Sequence, residues 1–227
     1  MKKNRSALAL FFFALTLISE FAFSSEICVS IHHNILKISK DYVPFSPTIK
    51  GINYWDKQLI DQLGPAHCED EVEDLTVSFF WPAMTPAGKA HLKRTSEIYD
   101  ITASLKPMNS VPSSMGYLKN FYTASASETQ KKSVAFDPRT LLYSFKGNHG
   151  ATNKMYSYFW ANNTEGEPWV FIMCTPLPTG EPYICQGQYF FTELQSLVVL
   201  SFSATRITNW KSIINDTNKL ILSNIIK

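Results

Sequence analysis

The side chains most able to do chemistry are five histidines, four cysteines and one dense acidic run. His32 and His33 are neighbours, so on a helix or a strand their rings diverge and do not share a metal. His67-Cys68-Glu69-Asp70 has the donor types of a metal site, yet consecutive residues converge only through a turn, and a solvated acidic loop is the plainer reading. No C-x-x-C pair exists and no histidine stands at zinc-ligand spacing from the cysteines. The spaced acids of a calcium loop are also missing. The sequence therefore predicts no metal and no cofactor. His149, in the turn Gly147-Asn148-His149-Gly150, has the chemistry of a general base, with Asp137 as the nearest acidic candidate partner. No nucleophile elbow, S-x-x-K, H-E-x-x-H, P-loop or G-x-G-x-x-G accompanies it. The expected class is a non-enzyme, and the rival is a hydrolase built around His149.

Binding chemistry has two candidates. Glu69-Asp70-Glu71-Val72-Glu73-Asp74 packs five acids into six residues. It is either a solvated linker before the first core strand or a docking patch for a basic partner, in which case Glu69, Asp70, Glu71, Glu73 and Asp74 would speed association more than they tighten it. Tyr158 and Trp160 precede the turn Asn162-Asn163-Thr164-Glu165-Gly166. They are either aromatic anchors inside a polar rim or ordinary sheet packing.

The elements that must carry these residues begin with an export signal. Lys2, Lys3 and Arg5 precede an apolar run from Ala7 to Ile18, and Ala22 and Ser24 have the small side chains of a cleavage site, which predicts a secretory signal over residues 1–24. The run is shorter than the roughly 20 residues of a membrane span, so no transmembrane anchor is expected after cleavage. Three of the 21 basic and one of the 19 acidic residues lie in that segment, which leaves 18 of each in the remaining chain. A net charge of zero leaves no basic stripe for nucleic acid or anionic lipid. All four cysteines lie beyond the signal, and an even count in an exported chain favours disulfides. Cys174 and Cys185 flank Thr175-Pro176-Leu177-Pro178-Thr179-Gly180-Glu181-Pro182, a turn-rich segment between two strand-like runs, so a hairpin would bring them together. Cys28 with Cys68 follows by elimination.

Apolar residues make up 45% of the chain and charged residues 18%, the balance of a globular protein, and the 14% of aromatics favours strands. Strand patterns recur at Leu75–Trp81, Ile98–Leu105, Ser133–Phe136, Leu141–Lys146, Lys154–Ala161, Trp169–Cys174, Pro182–Phe191 and Leu197–Ser203. Short turn-rich connections make most of them antiparallel neighbours. Glu26–Lys40, with isoleucines at 27, 31, 35 and 38, fits a helix or a bent strand. Tyr54–Leu63 reads as a short helix stopped by Gly64-Pro65, and Lys106–Ser127 as a long loop. Thr205–Ile226 reads as an amphipathic helix whose Ile207, Trp210, Ile214 and Ile221 face the sheet, with Ser203 or Thr205 as its cap. The expectation is a single α+β domain over residues 25–227, mainly antiparallel sheet with a C-terminal amphipathic helix packed on it and a short N-terminal helix.

Phe79-Phe80-Trp81-Pro82-Ala83-Met84-Thr85-Pro86, the two cysteine-bearing strands and Phe202-Ser203-Ala204-Thr205-Arg206-Ile207-Thr208-Asn209-Trp210 occur in an order that resembles small exported immunity proteins found beside type VI secretion effectors in Gram-negative bacteria. The resemblance spans Leu75 to Ile226. It implies a periplasmic, non-enzymatic protein that neutralises a cognate secreted toxin by direct binding, and it carries no catalytic residues. Besides the hydrolase, an envelope structural or adhesion protein is the remaining alternative, favoured by the β-rich aromatic composition.

Overall fold

The computed structural model describes residues 26–54, 66–88, 100–124, 126–148, 155–176 and 182–226. The proposed signal segment, His149 and most of the helix read over Tyr54–Leu63 lie outside the described residues. Thirteen strands appear among those described: β1 Glu26–Ile31, β2 Asn34–Ser39, β3 Thr48–Ile49, β4 Val72–Phe80, β5 Thr85–Pro86, β6 Asp100–Pro107, β7 Ala135–Asp137, β8 Leu142–Asn148, β9 Met155–Asn162, β10 Pro168–Pro176, β11 Pro182–Phe191, β12 Ser196–Ser203 and β13 Ile225–Ile226. The helices are α1 Gly116–Thr123, α2 Glu128–Lys131 and α3 Trp210–Ser223, so the class is α+β as the composition and turn spacing imply.

The large sheet runs β3-β4-β6-β12-β11-β10-β9-β8-β7, with β5 paired to β4. From β7 to β12 the chain is a meander in which each strand pairs antiparallel with the next. The step before the meander is different. After β6 the chain leaves its neighbours, passes through α1 and α2, and enters the sheet at the far edge as β7. The meander then brings β12 back beside β6. That crossover lays α1 over one face of the sheet.

Alternation along the strands divides the core into two layers, because successive side chains point to opposite faces. On β10, Val170, Ile172 and Cys174 join the larger cluster, which also receives Val29, Ile31, Leu36 and Ile38 from the first hairpin and Trp210, Ile213, Ile214 and Ile221 from α3. Phe171 of the same strand joins Met115, Phe145, Tyr158 and Trp160 on the other face, with Leu118 and Tyr122 of α1 packed against them. Both disulfides form. Cys174 and Cys185 are directly opposite in the β10–β11 register, and Cys28 pairs with Cys68 across a sequence separation of 40.

Three expectations change. Glu26–Lys40 is a hairpin, not a helix: Val29 and Ile31 on β1, then Leu36 and Ile38 on β2, are buried at a spacing of two, and His32 takes the left-handed conformation at the turn (φ 52°). The Lys106–Ser127 stretch contains α1. The C-terminal helix is preceded by a 3-10 turn over Ala204–Asn209, for which Ser203 is the cap, and it stops at Ser223. Ile225 and Ile226 then become extended and pair with Leu36 and Ile35, giving a second sheet in the order β1-β2-β13. No helix among the described residues is long and apolar enough to cross a membrane.

Candidate binding surface

The acidic run is divided between a turn and the start of a strand. The His67 backbone N–H donates to Asp70 Oδ2 at 2.7 Å and the Asp70 N–H returns a bond to the His67 carbonyl at 2.9 Å, closing a turn around Cys68. Glu71 accepts from Lys50 Nζ at 2.9 Å, and that hydrogen bond holds its carboxyl below the usual range. His32 Nδ1 lies 4.0 Å from the same carboxylate. Asp74 accepts from Ser104 Oγ at 2.6 Å and has Lys106 Nζ 3.5 Å away. Three of the five acids are therefore engaged within the molecule. Glu69 and Glu73 stand exposed. Repulsion between these close carboxylates is relieved locally by Lys50 and Lys106, which weakens the field the run projects to a distant partner.

Tyr158 and Trp160 are brought together, but inside the protein. Their relative exposures are 0% and 3%. Tyr158 packs near-parallel to Tyr122 of α1, with ring centroids 5.4 Å apart, and Trp160 stacks on Tyr143 at 5.6 Å. Buried rings of this kind do not touch a partner directly. Burial, followed by the nearby Tyr122 and Tyr156 hydroxyls, pushes the Tyr158 phenol up to about 12.

The described residues hold no group of three or more histidine, cysteine or acidic side chains able to bind a metal. Asp137 accepts from the Arg139 backbone N–H at 2.9 Å and from its Nε at 3.3 Å, and these bonds lower its pKa. Its role here is to fix the Asp137-Pro138-Arg139 turn after β7.

What the sequence reading left unassigned is the exposed apolar surface over the crossover. Eleven large hydrophobic residues are exposed among those described, and five of them, Tyr117, Phe121, Val134, Phe136 and Leu141, fall within Tyr117–Leu141. Leu118 and Tyr122 face the sheet, so Tyr117 and Phe121, four residues apart, share the outward side of α1. Phe121 is 70% exposed. Rings connect this helix to the sheet edge: Lys119 Nζ sits 5.2 Å from the Trp160 centroid, Trp160 stacks on Tyr143, and Tyr143 meets Phe136 at 4.9 Å. The one signal in the sequence was Met115, Leu118 and Tyr122 at spacings of three and four. Prolines and serines upstream obscured it, and α1 has no side-chain cap to mark its start.

No family model and no curated protein sequence matches the chain. Two solved structures resemble this chain. An immunity protein of the Stenotrophomonas maltophilia type IV secretion system, Smlt3025, superposes with a TM-score of 0.58 at 14% identity, covering 89% of this chain and 94% of that one. The Neisseria meningitidis iron-regulated outer membrane lipoprotein FrpD gives 0.49 at 8% identity, over 89% and 93% of the two chains. The fold is thus that of a known secretion-system immunity protein, in a type IV system where the sequence resemblance pointed to type VI.

Proposed function

We propose that the chain is an exported immunity-type protein that binds a cognate secreted toxin in the periplasm and blocks it without turning over any substrate. The observation that carries this reading is the fold shared with the Stenotrophomonas immunity protein along nearly the whole of both chains. Two disulfides support the compartment, since such bonds persist where the surroundings are oxidising. The exposed aromatic side chains of α1 and β7 support a binding role, because large apolar groups left in water on a folded domain mark interaction sites. The toxin is one delivered by a bacterial secretion machine, of type VI on the sequence resemblance. Growth of bacteria whose periplasm receives a candidate toxin drawn from the genes neighbouring this one tests the reading. The full chain restores growth, and removal of residues 1–24 abolishes protection by leaving the binder in the cytoplasm. Protection that persists without those residues contradicts the periplasmic site of action.

A further inference from the structure

We infer that the toxin-binding surface is the face formed by α1 and β7, and that it takes a protein partner presenting an apolar pocket rimmed by carboxylates. The inference rests on the immunity-type reading and adds to it the surface and the chemistry of the partner. Among the described residues four aromatic side chains are exposed, and three of them, Tyr117, Phe121 and Phe136, lie on this face, with Phe45 elsewhere. Aromatic anchors surrounded by polar groups are the usual energetic centre of a protein interface. Their support is rigid: the stacked rings of Tyr122, Tyr158 and Phe171 hold α1 on the sheet, so little freedom is lost when a partner docks.

The charge on this face selects the partner. Gly116–Leu141 contains four basic and two acidic residues. Both acids are matched locally, Glu128 with Lys131 at 2.9 Å and Asp137 with Arg139 at 3.3 Å. Lys119 and Lys132 have no ion-pair partner within Gly116–Leu141, and the Glu167 carboxylate lies beside Gly116 at the start of α1. Lys119 lies against the Trp160 ring and Lys132 is exposed beside α2. A second copy of this chain would bring like charges together, whereas a surface bearing carboxylates around an apolar hollow matches both the rings and the lysines. The exposed acids Glu69 and Glu73, by contrast, have no exposed aromatic within the same turn to anchor a contact.

The test measures binding of the purified chain lacking residues 1–24 to a purified candidate toxin drawn from the genes neighbouring this one. Phe121→Ala and Tyr117→Ala each remove an exposed side chain and leave the urea midpoint unchanged. At least one of them, or Phe136→Ala, weakens the complex by about 30-fold or more, the size of a hot-spot truncation. Lys132→Glu slows association several-fold and flattens its salt dependence. The double variant Glu69→Gln with Glu73→Gln stays within about threefold of the parent. Wild-type binding that all three aromatic variants leave within about threefold overturns the surface assignment while sparing the functional reading. Loss of binding in the glutamate variant moves the site to the acidic turn and overturns it too. A wild-type dimer in sedimentation that Phe121→Ala dissociates shows that a second copy occupies the face, which overturns the partner. Failure of the wild-type chain to bind the toxin overturns the functional reading, and the surface assignment with it.

Discussion

Trp210 stands where α3 begins, and three contacts depend on it. Its ring is 3% exposed in the larger core cluster. It lies at 5.3 Å from the Trp169 ring, tilted by 47°. Its Nε1–H donates to the Thr140 carbonyl at 2.8 Å, tying the helix to the turn between β7 and β8. Trp210→Ala removes all three. Truncating a buried tryptophan costs about 3–5 kcal/mol. Leaving the Thr140 carbonyl without its donor adds to that, although Thr140 is half-buried and water recovers part of the loss. A net cost of about 4 kcal/mol corresponds to roughly 10 °C in a domain of this size. Trp210→Phe separates the contributions. It keeps a ring against Trp169 and gives up the hydrogen bond and some volume, for about 1–2 kcal/mol. Urea unfolding under non-reducing conditions, with both disulfides intact, reads both values by linear extrapolation. An alanine variant within about 1 kcal/mol of the parent would refute the claim that α3 is anchored through this side chain. A phenylalanine variant as damaged as the alanine one would show that the hydrogen bond, and not the packing, dominates.

Removing Cys174–Cys185, which closes a loop of separation 11, costs about 3 kcal/mol in the chain-entropy model, and removing Cys28–Cys68, with separation 40, costs about 4, both measurable in the same urea assay. Because Cys68 is exposed while Cys174 and Cys185 are buried, mild reductant opens Cys28–Cys68 first, and thiol labelling with peptide mapping reads the order. The Tyr158 phenol is raised to about 12 by burial, so the stability it contributes is complete below the ordinary tyrosine range near 10 and is lost as the pH rises through about 12. Tyr189, whose hydroxyl donates to Asn218 Oδ1 at 2.6 Å, is raised further in the same direction, by burial and then by Glu193. Ultraviolet titration finds Tyr158 and Tyr189 ionising above the ordinary tyrosine range, and each of the two late signals disappears in the corresponding phenylalanine variant. Gly147→Ala destabilises by about 1–3 kcal/mol, since its Cβ would stand 2.5 Å from Phe145 Cε1, whereas Gly187→Ala meets nothing closer than 3.5 Å and is tolerated; thermal melts of the two variants compare them.

The meander was legible in the sequence because turn residues and two-residue alternation agree from β7 to β12. The disulfide across β10 and β11 followed from the same pattern. The first hairpin misled because Ile27, Ile31, Ile35 and Ile38 keep a helical spacing across a turn, so periodicity alone did not separate one helix from two short strands. At the other end, Ile225 continued the helical repeat, but pairing with Leu36 gave its backbone a better partner than another helical turn. For the candidate site the difficulty was coverage. Alternation places Tyr158 and Trp160 on one face of β9 but does not say whether anything lies on that face. The cover is α1, whose helical spacing extends over only eight residues and whose stability comes from the rings beneath it. Once α1 is in place, Tyr158 and Trp160 become interior and Tyr117 and Phe121 become surface. Acidity was equally ambiguous, because five acids in six residues fit a solvated linker and a docking patch alike; in the structure Lys50 engages Glu71, and Ser104 and Lys106 engage Asp74.

Titration of the toxin's activity with this protein tests the central claim most directly. A fixed amount of a candidate toxin, drawn from the genes neighbouring this one, is mixed with increasing amounts of the disulfide-intact protein, and residual activity is followed to equivalence. Neutralisation by binding predicts a linear fall that reaches zero at one protein per toxin and does not deepen with time. Loss of toxin activity at far below equimolar amounts, growing with incubation, would mean that the protein destroys the toxin or its product catalytically. Full activity in the presence of excess protein would mean that it is not an immunity protein for that toxin at all.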